Sequence, residues 1–250
     1  MAASGVLDAV EVTKSFAGVD ALRGVTLRVR QGAVVGLIGP NGSGKTTFLN
    51  CVSGVFPPTS GAISLDGRPI GGRPAHELAG RGVVRTFQNV RLFDRLTVLQ
   101  NVQVGAVAAG KVKRRDSREY AHTVLEPFGL AAHEHRYAGA LSFGDQRRLE
   151  IARALAASPR FLLLDEPAAG MNEAESDELR ESIERTRRDR GCGVLVVDHD
   201  LRLIMRLCEH IYVLNEGVLI SEGDPGAVRR DPAVLAAYIG EEEERGKESG

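Results

Sequence analysis

The sequence predicts an α/β fold with a mainly parallel sheet. Three apolar runs carry the prediction: Ala33–Ile38, Phe161–Leu164 and Gly193–Val197. None alternates polar with apolar residues, which is the pattern of strands covered on both faces. Each runs directly into residues capable of chemistry. The first leads into Gly39-Pro40-Asn41-Gly42-Ser43-Gly44-Lys45-Thr46, the second into Asp165-Glu166-Pro167 and the third into Asp198-His199-Asp200.

The stretch 39–46 matches G-x-x-x-x-G-K-[ST] and has the setting that pattern requires, a strand before it and a helix-compatible segment from Lys45 to Val52 after it. Glycine at 39, 42 and 44 lets backbone amides approach phosphate oxygens closely. The loop opens onto a helix N-terminus, where unpaired donors and the dipole favour an anion. In that setting Lys45 reaches the β- and γ-phosphates and the Thr46 hydroxyl ligates Mg²⁺. The expected ligand is a nucleoside triphosphate, held by residues 39–47 with Thr47 included.

Val6–Thr13 and Val25–Val29 alternate at period two and read as strands. Phe16 lies between them, followed by Gly18. An aromatic at this point can stack on a base or pack into the core, and both readings stay open. Phe56–Gly61 is a turn signal. A strand over Ala62–Leu65 and a short helix over Arg73–Leu78 follow. Gly82–Phe87 is a strand with Gln88 at its end; that amide can orient a metal-bound water or simply be solvated. Residues 97–138 read as helical with a break at Gly110, and a helical lobe is expected over about 89–159. The basic run Lys111-Val112-Lys113-Arg114-Arg115 reads as solvated surface.

Ser142 with Asp145 three residues on resembles a capping box, and Leu149, Ala152 and Leu155 follow at helical spacing. A capped helix accounts for this, and so does a second anion-binding helix start exposing Ser142 Oγ and the Gly144 amide. At the apolar strand tip, Asp165 needs a partner for its charge, and Mg²⁺ is one. Glu166 suits polarising an attacking water. Asn172–Glu175 starts a capped helix that runs to about Arg190, with Leu179 and Ile183 inward. His199 can bond a γ-phosphate or serve a structural role. Ile211–Leu214 and Val218–Ile220 form a hairpin, a short helix lies near Val234–Tyr238, and residues 241–250 form an acidic, disordered tail.

At 250 residues the chain can form one large α/β domain, or a core with a smaller lobe. Its 43% hydrophobic and 26% charged residues are ordinary for a soluble protein. A net charge of −1 argues against nucleic-acid binding driven by overall charge. Cys51, Cys192 and Cys208 have no metal-like spacing and read as core residues in a reducing compartment. The N-terminus lacks a secretory pattern, and no apolar run approaches the roughly 20 residues of a membrane span. A membrane role would therefore need partner subunits.

Taken in order, these features resemble the ATP-binding subunit of ABC transporters over residues 6–240. The resemblance implies a P-loop NTPase core with a mainly parallel sheet, an antiparallel β subdomain and a helical lobe bearing the family signature, in one ATP-binding domain over residues 1–240. It implies ATP and Mg²⁺ as ligands. It makes Phe16 the aromatic that stacks on adenine and residues 39–46 the phosphate loop. Gln88 becomes the glutamine that senses Mg²⁺ and the attacking water, with Thr46 and Asp165 on the metal side. Residues 141–146 become the signature, with Ser142, Gly144 and Asp145 on nucleotide. Glu166 becomes the catalytic base and His199 the switch histidine. Two such subunits are implied, each ATP held by the loop of one and the signature of the other. Polytopic permease subunits, a substrate-binding receptor and a peripheral place on the cytoplasmic face of the membrane are implied as well, and no nucleic acid.

More narrowly, Val84–Phe93, Gly144–Arg153, Asp165–Gly170 and Ala236–Gly240 look like the high-affinity branched-chain amino-acid importer branch. The lipopolysaccharide-export ATPase shares much of this character. A nucleic-acid or ribosome-associated relative is the other alternative, although the tandem cores, coiled-coil arms or zinc insertions usual there are absent. Three residues depart from the common pattern. Phe143 replaces a Gly and Asp145 a Gln in the signature, where Arg147 and Arg148 are expected to offset the added charge; Asn172 stands where Asp is common.

Overall fold

The computed structural model describes residues 5–198 and 200–238; residues 1–4, His199 and the acidic stretch 239–250 lie outside the described residues. The first half of the chain runs through β1 (Val6–Phe16), β2 (Val19–Arg30), β3 (Val34–Ile38), α1 (Lys45–Val52), β4 (Ser60–Leu65), β5 (Arg68–Pro69), α2 (Ala75–Gly80) and β6 (Val83–Arg85). Three helices follow, α3 (Val98–Ala108), α4 (Ser117–Leu125) and α5 (Phe143–Ala156), linked by 3₁₀ turns. The chain then runs through β7 (Phe161–Asp165), α6 (Glu173–Arg190), β8 (Gly193–Val197), α7 (Leu201–Leu207), β9 (His210–Asn215), β10 (Val218–Gly223) and α8 (Pro225–Arg230). Helical backbone returns at 232–238.

The strands form two sheets. One is antiparallel in the order β2-β1-β4-β5; the other has the order β10-β9-β3-β8-β7-β6. In the second, β9, β3, β8, β7 and β6 pair in parallel, and β10 closes one edge antiparallel to β9. Its central strands are buried on both faces, and alternate residues serve two different cores. Leu162, Leu164, Val194 and Val196 face a core shared with α3, α5, α6 and α7. Leu163, Leu195 and Val197 face a second core with Phe48 and Leu49 of α1 and with Val25 and Val29 of the antiparallel sheet. Helix α1 is thus clamped between the two sheets, which fixes the direction of the loop that precedes it.

Several local expectations shift by a few residues. β1 continues to Phe16 and β2 begins at Val19, so Phe16 ends a strand instead of lying on a loop. A two-residue hairpin turn at Ala17-Gly18, both at positive φ, extends the pairing to Phe16↔Val19. The segment 97–138 is α-helical only in parts; beyond Leu125 it proceeds by 3₁₀ turns, with Pro127 and Gly129 interrupting the α-helical ladder. The basic run 111–115 lies on the surface, with only Val112 partly covered.

The three cysteines are buried free thiols. Burial pushes the Cys51 thiol up to about 11 and the Cys192 thiol up to about 12, and raises Cys208 as well. The native chain is therefore expected to release no colour promptly with a disulfide reagent at pH 8. Full denaturation should expose all three thiols, and early reaction of any one would contradict the packing described.

Candidate nucleotide site

The phosphate loop leaves β3 as a cradle that a side chain would obstruct. Gly39 sits at φ +148°, and a Cβ there would meet the Leu214 carbonyl at 1.9 Å. Gly44 caps α1 at φ +105°, where a Cβ would lie 2.6 Å from Ala21 O. Lys45 is nearly buried; its Nζ donates to Gly39 O and Pro40 O, both at 2.7 Å, so the ammonium is folded over the loop's own carbonyls. Asn41, Gly42 and Thr46 are exposed, and Thr47 is half-covered. Ser43 is buried, and its backbone carbonyl accepts from Gly217 N in the β9–β10 turn.

Sheet register brings the acidic tip alongside. Leu37 and Asp165 both pair with Val197 of β8, so loop and tip leave the sheet at one level. At normal strand spacing they are about 10 Å apart. Asp165 is buried, and its Oδ2 accepts from Arg85 Nη2 at 2.8 Å. Arg85 also donates to Asn50 Oδ1 at 2.6 Å and Ser53 Oγ at 2.9 Å, tying the tip to α1. Glu166 adopts φ +47°, a left-handed conformation that costs a bulky residue about 1–3 kcal/mol. Its amide donates to Val197 O at 2.7 Å. Its Oε2 accepts from Gln88 Nε2 at 3.0 Å. The structure thus brings together Gln88 and Glu166, residues 78 apart in sequence. Thr46 hydroxyl, Asp165 carboxylate and Gln88 carbonyl are oxygen donors throughout, the set a hard divalent cation takes.

Arg147 holds the centre of this region, though the sequence suggested for it only a part in offsetting Asp145. It is 1% exposed. Nη2 donates to Asp165 O at 2.5 Å and Glu166 O at 2.7 Å; Nε donates to Pro167 O at 3.2 Å. Nη1 donates to Phe87 O at 2.5 Å and Glu150 Oε2 at 2.6 Å. Asp198, also buried, accepts from Ala168 N at 3.1 Å through Oδ2.

Ser142, Gly144 and Asp145 form a second cluster at the start of α5. Ser142 Oγ accepts from Asp145 N at 3.2 Å and donates to Asp145 Oδ2 at 2.9 Å. The full capping box is absent here, because Asp145 takes the hydroxyl and leaves the Ser142 amide alone; Asn172 and Glu175 make the complete box on α6. Arg148 Nη2 pairs with Asp145 Oδ1 at 2.7 Å. Burial works against the Asp145 charge, yet Arg148 and Ser142 outweigh it and hold the carboxyl below its usual range. The offset thus comes from Arg148, with Arg147 turned inward. The Phe143 ring lies over Gly170.

Phe16 is not a core residue. It is 44% exposed, meets Phe56 edge-on at 5.3 Å between centroids, and has Lys14 Nζ 5.0 Å from its own. His199, the remaining expected site residue, lies outside the described residues.

A glycine cradle at the end of one parallel strand, with an acidic tip two strands away, defines a nucleotide-binding α/β protein of the P-loop type. The ABC transporter family model matches residues 22–169, and a second model, the branched-chain amino acid ATP-binding cassette transporter, matches residues 218–244. The chain belongs to the ABC transporter family of ATP-binding proteins. It is 44% identical to the high-affinity branched-chain amino acid transport ATP-binding protein BraF of Pseudomonas aeruginosa, over 94% of this chain and 98% of the relative. To the lipopolysaccharide export system ATP-binding protein of Haemophilus influenzae it is 37% identical, over 95% and 98%. Among solved structures, the ADP conformation of an ATP-binding cassette of an ABC transporter superposes with TM-score 0.86 at 30% identity, covering 95% of this chain and 100% of the other. A cassette solved as a dimer bound to ADP and phosphate superposes with TM-score 0.77 at 27% identity, covering 88% and 98%.

Arg85 and Glu150 were not singled out in the sequence, and the only signal for Arg85 was its place one residue before Thr86-Phe87-Gln88. Because Arg85 and Asp165 are each 5% exposed in their side chains, breaking the pair strands a buried charge. Arg85→Leu should lower unfolding stability by roughly 3–5 kcal/mol in urea titrations, against a much smaller loss for Arg85→Lys. Equal stability of all three would show that the pair is not needed.

Proposed function

We propose that the chain is the ATP-hydrolysing subunit of an ABC importer for branched-chain amino acids, working as a pair of ATP-binding subunits. The observation that carries the hydrolytic reading is the Gln88–Glu166 contact at the acidic strand tip, level with the phosphate loop. Residues 39–47 take the triphosphate, and Lys45 exchanges the Gly39 and Pro40 carbonyls for β- and γ-phosphate oxygens. Thr46, Asp165 and Gln88 would hold Mg²⁺, which would supply positive charge to offset that of the phosphates. The Glu166 carboxylate accepts the proton of the attacking water, which the Gln88 amide orients. By the family resemblance His199 would bond the γ-phosphate, and Phe16, exposed at the end of its strand, offers its ring to adenine.

Ser142 and Gly144 belong to a second set of donors that one copy does not need for its own loop. In a pair, they close over the partner's nucleotide. Moving a two-state switch from 1:99 to 99:1 takes about 5.5 kcal/mol of differential binding, which a second set of charge-assisted hydrogen bonds is of a size to provide. The dimer with ADP and phosphate seen for a solved cassette supports pairing.

No helix among the described residues is long and apolar enough to cross a membrane, so transport needs permease subunits. A groove of about 530 Å³, lined by Val84, Phe87, Phe93, Val104 and Arg153 among others, adjoins Gln88 through Phe87 and suits a cytoplasmic segment of such a subunit. That assembly places the chain on the cytoplasmic membrane face, with a substrate-binding receptor on the other side. The cargo reading rests on the C-terminal family match and on the importer relatives, with the export relative less similar.

Glu166→Gln should reduce ATP turnover by about 10²–10⁴-fold and accumulate an ATP-bound dimer on size exclusion; unchanged turnover rejects Glu166 as the base. Lys45→Ala should weaken ATP binding by about 10- to 100-fold in equilibrium titration, and unaltered affinity would remove the phosphate-loop assignment. Reconstituted with its membrane subunits and receptor, the complex should raise ATP turnover on addition of leucine. A response to lipopolysaccharide in place of leucine would reassign the cargo.

A further inference from the structure

Arg147 makes contacts that a helix-packing role does not require. A guanidinium has five N–H donors. Here they reach Pro167 O, Phe87 O, Glu150 Oε2, Asp165 O and Glu166 O. Glu150 supplies the countercharge and uses its other oxygen to accept from Arg91 N at 3.2 Å, which pins the segment after Gln88 as well. Stability alone does not call for this arrangement, since a buried ion pair is often matched or bettered by apolar residues of similar volume. What an apolar residue cannot do is tie three separate segments to one rigid planar group.

The three segments are informative. One is α5 itself, which carries Ser142, Gly144 and Asp145 at its first turn, just ahead of Arg147. The second is the strand exit at Phe87, the residue before Gln88. The third is the 165–167 turn, where Glu166 is held at φ +47°. Gln88 and Glu166 meet at 3.0 Å. Both therefore hang from backbone that the guanidinium fixes to α5.

We infer that Arg147 is a positioning residue that couples the Ser142–Asp145 end of α5 to the Gln88–Glu166 pair. A shift of α5 when that end engages a partner's nucleotide is passed through the guanidinium to the carbonyls of Phe87 and Glu166. Glu166 is thus aligned for water only when the pair of subunits is closed. This rests on the function proposed above.

The test uses the purified full chain. Arg147→Lys keeps the charge but has three donors on a flexible stem. It should lower kcat for ATP by about 10- to 100-fold while KM for ATP stays within about twofold, because the phosphate loop is untouched. In a Glu166→Asp background the same substitution should cost less than about threefold, since its effect runs through Glu166. A loss equal in both backgrounds, a KM that rises as kcat falls, or full kcat in Arg147→Lys overturns the inference. Should Arg147→Lys fail to fold, Glu150→Gln serves: it leaves the four carbonyl contacts but loosens the guanidinium. A kcat loss at constant KM is then expected, and wild-type kcat overturns the coupling. Absence of ATP turnover in the unaltered chain would remove the proposed function itself, an outcome separate from turnover that survives Arg147→Lys.

Discussion

Parallel pairing of β3, β8 and β7 in a single register is the constraint on which the site depends. Both faces of that sheet are buried, so polar groups can emerge only at strand ends. Because Leu37 and Asp165 share Val197 as their partner, the phosphate loop and the acidic turn must emerge side by side. Slipping either strand would also turn its residues toward the opposite core, since side chains alternate with period two. Leu163 and Leu195 serve one core, Leu162 and Val194 the other, and a misregistered sheet would sacrifice both. The hydrophobic packing that stabilises the fold is therefore also what sets the spacing of Lys45 and Asp165.

Charge is handled by two buried arginines with different tasks. Arg85 neutralises the Asp165 carboxylate and ties it to α1 through Asn50 and Ser53. Arg147 binds carbonyl oxygens for the most part, with Glu150 as its countercharge. Gln88 donates to one Glu166 carboxylate oxygen. Arg147 reaches Glu166 through its backbone carbonyl.

Much of this was legible in the sequence because it depends on local patterns. The glycines at 39, 42 and 44, the apolar runs that end in acids and the capped helix start at Asn172 are each read within a few residues, and the parallel sheet follows from strands without alternation. Where long-range packing decides, the sequence was mute. Phe16 was open between stacking on a base and packing into the core because hairpin length depends on the Ala17-Gly18 turn, which adds pairs to the strands without any change in hydrophobic pattern. Arg147 stands in a run with Arg148, and nothing local separates the one that turns inward from the one that pairs with Asp145 at the surface. The 3₁₀ path beyond Leu125 was likewise hidden, since apolar spacing there fits an α-helix and only Pro127 and Gly129 speak against it.

The three departures from the common family pattern are each absorbed within the chain. Asp145 brings a negative charge to the start of α5, but Arg148 and Ser142 take its two oxygens, and Arg148 in turn also contacts Glu178 of α6. Phe143 replaces a small residue and lays its ring on Gly170, where a side chain would collide with it. Asn172 gives up a charge while keeping the acceptor that caps α6, and its partner Glu175 lies against Gly144. These contacts join the starts of α5 and α6 and the turn after β7 into one surface. In the pair proposed above, a phosphate approaching Ser142 and Gly144 would meet a hydroxyl, an amide, the Glu175 carboxylate and an Asp145 carboxylate paired with Arg148. Arg148 reduces the negative charge a phosphate would meet there but, shared between Asp145 and Glu178, does not cancel it.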